Sequence, residues 1–116
     1  MPSTKTGAIV ISWGAAIPGR EPRMLRVLQN AMAFNHRLQE AGRIEDIRLY
    51  VAMTGPNRDT IMLLGRLDEF AGVLVDGEFN AQVQAGLQVV RDVSIALWAG
   101  GVPEAAPERL HRSTRA

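Results

Sequence analysis

The chain has no cysteine among its 116 residues, which excludes disulfide bonds, thiol nucleophiles and thiolate metal sites. It also has no apolar run that approaches the roughly 18 residues of a membrane span. Its first residues, MPSTKTG, lack the basic and then apolar pattern of a signal peptide. We therefore expect a cytoplasmic protein that is suited to a reducing compartment and does not enter a membrane.

The chain also carries almost no net charge. Thirteen Lys and Arg balance twelve Asp and Glu, for a net charge of +1, whereas nucleic-acid binders usually carry a basic surplus. Two His and no paired carboxylates at ligand spacing argue against a metal site, and there is no Gly-rich phosphate loop or G-x-S-x-G motif. We expect no nucleic-acid partner, no metal ion and no cofactor.

What the chain does contain is 47% apolar residues, enough for one globular domain with a real core. We expect residues 1–100 to form that domain. The remaining segment, 101–116, is small, Pro-containing and dotted with Arg, so we expect a tail that is flexible unless a partner or a second subunit orders it.

Hydrophobic periodicity predicts four strands and two helical regions. Alternating or β-branched runs indicate strands, while a breaker-free stretch that opens on Pro22 and stops at Gly42 indicates a long helix. Asp68 is a candidate cap for the second helical region, which we expect to kink after Asp76. The predicted strands are 7–13, 44–54, 60–67 and 91–98, and the predicted helical segments are 22–41, 68–76 and 78–90.

This order, β-α-β-β-α-β, predicts an α+β protein of the ferredoxin-like type, with a four-stranded antiparallel sheet and both helices on one face. Some RNA-recognition domains share the plan, but they stack bases on aromatic residues of the central strands. The third strand, TIMLLGRL, has none, which argues against RNA binding.

The two faces of the sheet differ in composition. The residues expected beneath the helices are Ile9, Ile11, Trp13, Ile47, Leu49, Val51, Met53, Val93, Ile95 and Leu97. The opposite set is Ala8, Val10, Ser12, Tyr50, Ala52, Thr54, Met62, Leu64, Ser94, Ala96 and Trp98, with Arg48 and Arg66 among them. Because the second face is too apolar to remain in water, we expect a two-fold homodimer through it, with Tyr50, Trp98, Met62 and Leu64 at the interface.

Residues 66–98 read RLDEFAGVLVDGEFNAQVQAGLQVVRDVSIALW. The short helix, the acidic-Gly break, the EF restart and the final strand ending in Trp resemble the dimeric α/β-barrel superfamily, and with the element order the likeness covers about 7–98. That superfamily contains antibiotic-biosynthesis-type monooxygenases, stress-responsive barrel proteins and haem-degrading monooxygenases. The resemblance implies a pocket for a flat apolar molecule between the sheet and the helices of each subunit.

The same resemblance leaves the reaction open, because the superfamily hosts cofactor-free oxygenation, cyclisation, isomerisation and haem cleavage. Haem-degrading members place a His on the second helical region, an Asn on the first strand and a Trp on the third. This chain has no His in 70–90, no Asn in 7–14 and no Trp in 60–67. The haem-degrading branch is therefore not expected.

Two neighbouring polar residues on the long helix, Asn35 and His36, have different predicted environments. The apolar stripe of this helix consists of Met24, Val27, Leu28, Ala31, Phe34, Leu38 and Ala41. With 3.6 residues per turn, Asn35 lies about 40° from the centre of this stripe and His36 about 140° away. His36 is therefore a solvated or interface residue, and only a weak candidate for a base or metal ligand. Asn35 is either an amide paired with backbone or a polar anchor for a ligand.

Trp13 is the second pocket candidate, with core filling as its alternative. Arg48 and Tyr50 are weak candidates: Arg48 could contribute to an anion site with Arg66, although pairing with nearby carboxylates is more ordinary. Two functions remain open. One is a homodimer with an apolar small-molecule pocket, either a cofactor-free oxygenase or cyclase or a protein that only binds. The other is a non-catalytic interaction module whose core is packed solid.

Overall fold

The computed structural model describes residues 6–56 and 58–100. Its elements are β1 (Thr6–Trp13), α1 (Glu21–Glu40), β2 (Asp46–Tyr50), β3 (Asp59–Arg66), α2 (Leu67–Leu74), α3 (Gly77–Leu87) and β4 (Ser94–Ala99). All neighbouring strands are antiparallel and lie in the order β2-β3-β1-β4. This arrangement confirms the predicted ferredoxin-like α+β fold. The predicted tail, 101–116, lies outside the described residues.

Helix α1 begins and ends where its sequence predicts, to within one residue. Pro22 lies in the first turn, where a missing N–H is tolerated. After Ala41 the chain turns at Gly42, whose φ of 76° is the left-handed conformation that glycine adopts without a side-chain clash. The backbone N–H of Arg43 then donates to the Leu38 carbonyl at 2.9 Å, which closes the end of the helix.

The second strand is shorter than predicted. It stops at Tyr50 because Tyr50 pairs with Thr60, near the start of β3, so later residues have no partner strand in the described part of the chain. Val51 and Met53 were expected beneath the helices, and this was wrong: they lie outside the strand and are 60% and 88% exposed. An apolar residue is held in a sheet by pairing with a neighbouring strand, and the pairing of β2 with β3 ends at Tyr50.

The assignment of the two faces holds for the central strands. Ile9 and Leu63 are fully buried on the helix side, and Trp13 is 9% exposed. In the outer strands, Leu49, Ile95 and Leu97 also point to the helix side of the sheet, as their strand pairing shows. They are nevertheless 44%, 39% and 45% exposed. The helices therefore cover the centre of the sheet better than its edges.

The second helical region is divided as predicted, but the cap falls elsewhere. Asp68 lies inside the first turn of α2 rather than before it, so its assignment as a cap was wrong. Asp76 instead caps α3, because one of its carboxylate oxygens accepts the backbone N–H groups of Glu78 at 2.9 Å and Phe79 at 3.0 Å. None of the described helices is long and apolar enough to cross a bilayer.

Candidate ligand-binding site

A cavity of about 110 Å³ lies between the helix side of the sheet and helices α1 and α3. Its walls are almost entirely apolar, and its polar lining residues are Asn35, Asp59 and Gln82. The other lining residues are Ile11, Trp13, Met24, Val27, Leu28, Ala31, Phe34, Phe79, Val83, Gly86, Val89, Val90 and Val93. Most of those on α3 and the outer part of α1 are half-buried, so the cavity reaches solvent between the two helices.

Backbone hydrogen bonds build one end of this cavity. Two hydrogen bonds hold the segment that follows β1 against the segment that follows α3. The Gly14 N–H donates to the Arg91 carbonyl at 2.8 Å, and the Ile17 N–H donates to the Val89 carbonyl at 2.8 Å. This pairing places Val89 and Val90 in the wall, where they are 1% and 7% exposed. The sequence predicts helix as far as Val90, but α3 ends at Leu87 and Val90 pairs with Ala16. A pairing between segments some 75 residues apart leaves no local signal.

The structure places Asn35 in the cavity wall and buries it to 3% exposure. Its only side-chain contact of hydrogen-bond type within the described residues is a 4.0 Å approach of Nδ2 to the sulfur of Met32. No fully buried side-chain nitrogen or oxygen in the described part of the chain lacks a partner. The amide oxygen of Asn35 is therefore not sealed in the core, and the cavity is the space it can reach.

Trp13 and Asp59 lie directly opposite each other on neighbouring strands and both line the cavity. Asp59 is a pocket residue that the sequence pattern does not predict. The signal that would have found it is the strand register, since a residue paired with Trp13 points to the same side of the sheet. Asp59 Oδ1 accepts the Ala52 N–H at 3.2 Å, which orients the carboxylate at the half-buried rim.

The weak candidates lie away from the cavity. His36 is exposed. Arg48 donates to Asp46 at 3.0 Å, and this hydrogen bond, followed by that of the Ile47 N–H, lowers the pKa of Asp46. Arg66 pairs with Glu69 at 2.7 Å and approaches Asp68 at 3.6 Å. Arg48 and Arg66 are thus each engaged with acidic neighbours rather than joined in one anion site.

The residues predicted for the interface share the other side of the sheet. Ala8 pairs with both Leu64 and Trp98, so these three side chains form one row across three strands. Tyr50 and Trp98 are 51% and 54% exposed, while Met62 and Leu64 are half-buried. No helix within residues 6–56 and 58–100 covers this surface. A hollow of about 320 Å³, partly lined by Met62, Leu64 and Trp98, opens on it.

These features define the class of protein: a ferredoxin-like domain with an apolar cavity between its sheet and helices. Neither a protein-family model nor a curated protein matches the chain. Solved structures do match. One is a dimeric ferredoxin-like protein of unknown function from Bacteroides fragilis, with 10% identity, a TM-score of 0.61, and coverage of 82% of this chain and 96% of that one.

Two further structural neighbours are linked to oxygenation. A protein from Caulobacter crescentus, proposed to be an antibiotic biosynthesis monooxygenase, has 13% identity, a TM-score of 0.63, and coverage of 85% of this chain and 92% of that one. SnoaB from Streptomyces nogalater, a cofactor-independent oxygenase, has 12% identity, a TM-score of 0.58, and coverage of 86% and 96%. At these identities the likeness shows the fold alone, and it agrees with the predicted ferredoxin-like architecture.

Proposed function

We propose that this protein is a homodimer in which each subunit binds a flat, apolar small molecule between the sheet and helices α1 and α3. The cavity is the observation that carries the proposal, because a core packed solid would leave no such space. An apolar cavity with a few convergent polar groups is the usual form of a small-molecule site. The alternative function, a non-catalytic interaction module with a solidly packed core, does not require a cavity.

The size of the cavity limits what enters it. An enclosed apolar cavity of about 150 Å³ accommodates benzene, so about 110 Å³ corresponds to roughly one aromatic ring. A larger flat ligand would place one ring beside Phe34 and Phe79, whose centroids lie 6.5 Å apart, and extend toward the opening between the helices. Asn35 would then offer the ligand a hydrogen bond inside an otherwise apolar site.

Dimerisation is supported by the uncovered side of the sheet and by the dimeric neighbour from Bacteroides fragilis. Tyr50, Met62, Leu64 and Trp98 form the core of the proposed interface, because they are the large side chains that this side leaves without a cover. Aromatic residues and Met are enriched in such interfaces.

Binding is tested by a thermal-shift screen with quinones, polyketide-like phenols and fatty acids. A ligand present at 100 times its Kd stabilises the native state by about 2.7 kcal/mol, so a true ligand raises Tm. The Ala31→Phe variant fills the cavity and abolishes the shift, whereas Ala33→Phe, on the exposed side of the same helix, retains it. Equal shifts in both variants, or none with any compound, would contradict the proposal.

If the protein is an enzyme, the reaction that we propose is cofactor-free oxygenation of the bound molecule. The likeness to SnoaB favours oxygenation over cyclisation. In such a reaction a substrate CH₂ group loses two hydrogens, one atom of O₂ becomes the carbonyl oxygen, and the other leaves as water. Compounds that raise Tm are incubated with the enzyme and O₂ consumption is followed. Stoichiometric O₂ uptake that Ala31→Phe abolishes would establish an enzyme; binding without uptake would establish a binding protein.

A further inference from the structure

The cavity has a charged residue at its rim, Asp59, that no basic side chain of the described residues neutralises. Asp59 lines the cavity beside Trp13, and one of its two oxygens accepts the Ala52 N–H. Among residues 6–56 and 58–100, Asp59 belongs to none of the ion pairs. Its second oxygen is therefore available to a ligand. A half-buried carboxylate next to an apolar surface gains most from a positively charged partner, because the low local dielectric strengthens the attraction.

The nearest cation in the sequence is directed elsewhere. Arg58 Nη2 donates to Ser12 Oγ at 3.0 Å, to Ser94 Oγ at 3.1 Å and to the Asp92 carbonyl at 2.7 Å. Ser12 and Ser94 pair with each other across β1 and β4 on the side of the sheet opposite Trp13, since side chains alternate along a strand. Arg58 and Asp59 are thus adjacent in the chain, but their charged groups serve opposite sides of the sheet.

Trp13 adds a second reason for a cation at this rim. Its indole lies across the ladder from Asp59, at the spacing of a directly opposed pair. An ammonium group that contacts the carboxylate there also lies near an aromatic ring, and cation–π attraction strengthens as water is removed. The walls beyond this point are apolar, so the uncharged part of such a ligand has a separate surface to bind.

We propose that the preferred ligand is an aromatic amine, with its ring in the cavity and its protonated nitrogen on Asp59 and the face of Trp13. This inference rests on the proposed binding function and narrows it to one ligand class. It also gives a role to a carboxylate at the rim of an apolar cavity, where its charge is otherwise costly.

The test compares three probes that share a single phenyl ring, the size that the cavity accommodates: benzylamine, benzyl alcohol and benzoate. Calorimetric titration of the full chain is expected to give a Kd for the amine at least about tenfold lower than for the alcohol, because a hydrogen bond between charged groups is stronger than one to a neutral hydroxyl. The carboxylate is expected to bind most weakly. The Asp59→Asn variant, which keeps an oxygen for the Ala52 N–H, is expected to bring the amine and the alcohol within about twofold.

Asp68→Asn is the matched control, because it removes the same charge from an exposed carboxylate that does not line the cavity. It is expected to retain the full preference for the amine. Alcohol binding with no preference for the amine in the wild-type protein would overturn the inference and leave the pocket standing. No binding of any probe would overturn the proposed function itself. The probe series in the wild-type protein decides between these outcomes even if Asp59→Asn fails to fold.

Discussion

At the scale of single residues, helical geometry alone separates Asn35 from its neighbour His36. A rotation of about 100° per residue places one toward the core and the next toward solvent, and the structure has Asn35 at 3% exposure and His36 exposed. Trp13 was placed on the helix side by the period-two alternation of β1, and it lies there. Asp59 could not be found in this way, because its position depends on its partner strand.

The first prediction concerns Asn35. Asn35→Leu should leave the protein folded, because Leu suits a helix and the apolar surroundings better than an amide does. It should raise the Kd of a pocket ligand that carries a carbonyl or phenol group about three- to tenfold, which corresponds to the loss of one hydrogen bond. Calorimetric titration measures this. Asn30→Leu, on the exposed side of α1, is the control, and equal affinity in the two variants would exclude Asn35 as an anchor.

At the scale of elements, the sequence predicts the type and order of the described helices and strands. It predicts less accurately the residues at which they begin and end. The apolar alternation of 44–54 continues well past Tyr50, although none of the described strands pairs with it there. The Ala52 N–H is satisfied instead by the Asp59 carboxylate. The sequence indicates Asp68 as the cap, but Asp68 lies within the first turn of α2. The residue that caps a helix is Asp76, which has the extended backbone of a cap, with ψ of 131°.

The cap of α3 gives a pH-dependent prediction. Hydrogen bonding from the Phe79 N–H, and then from Arg43, lowers the pKa of Asp76 below its ordinary 3.8. A lowered folded-state pKa means that the carboxylate stabilises the protein above about pH 4 and that this contribution is lost as the pH falls through the folded-state value. Asp76→Ala should therefore lower Tm by a few degrees at pH 7, and the difference from wild type should shrink toward pH 3.

Thermal denaturation followed by circular dichroism between pH 7 and pH 3 measures this difference. Asp68→Ala provides the comparison, because Asp68 is an exposed carboxylate in a helix first turn that is not a cap, and its effect should be smaller. If the two variants lost the same stability at pH 7, or if the deficit of Asp76→Ala did not depend on pH, the capping role would be refuted.

At the scale of the whole molecule, the two sides of the sheet have different covers. Helices cover the side of Ile9 and Leu63, which are fully buried. The side of Met62 and Trp98 has no cover within residues 6–56 and 58–100. Contiguous apolar surface of this kind marks an association site in soluble proteins, and a two-fold axis provides the simplest partner, a second copy.

The final prediction tests this association. Met62→Asp places a charge in the middle of the uncovered side and should convert the dimer into a monomer, because an unpaired carboxylate in an apolar interface is strongly unfavourable. Light scattering coupled to size-exclusion chromatography gives the mass in solution. Leu25→Asp, on an exposed position of α1, should remain dimeric. A monomeric wild-type protein at micromolar concentration would refute the assignment.

The sequence by itself determined the element order and the sides of β1 and α1 that face the core, and hence the candidacy of Trp13 and Asn35. These properties follow from backbone periodicities of 3.6 and 2, which act between residues a few positions apart. Only the tertiary structure decided that a cavity of about 110 Å³ remains between the layers, and that Asp59 faces it while Arg58 does not. Cavity volume and strand register depend on how distant segments pack, so no local pattern encodes them.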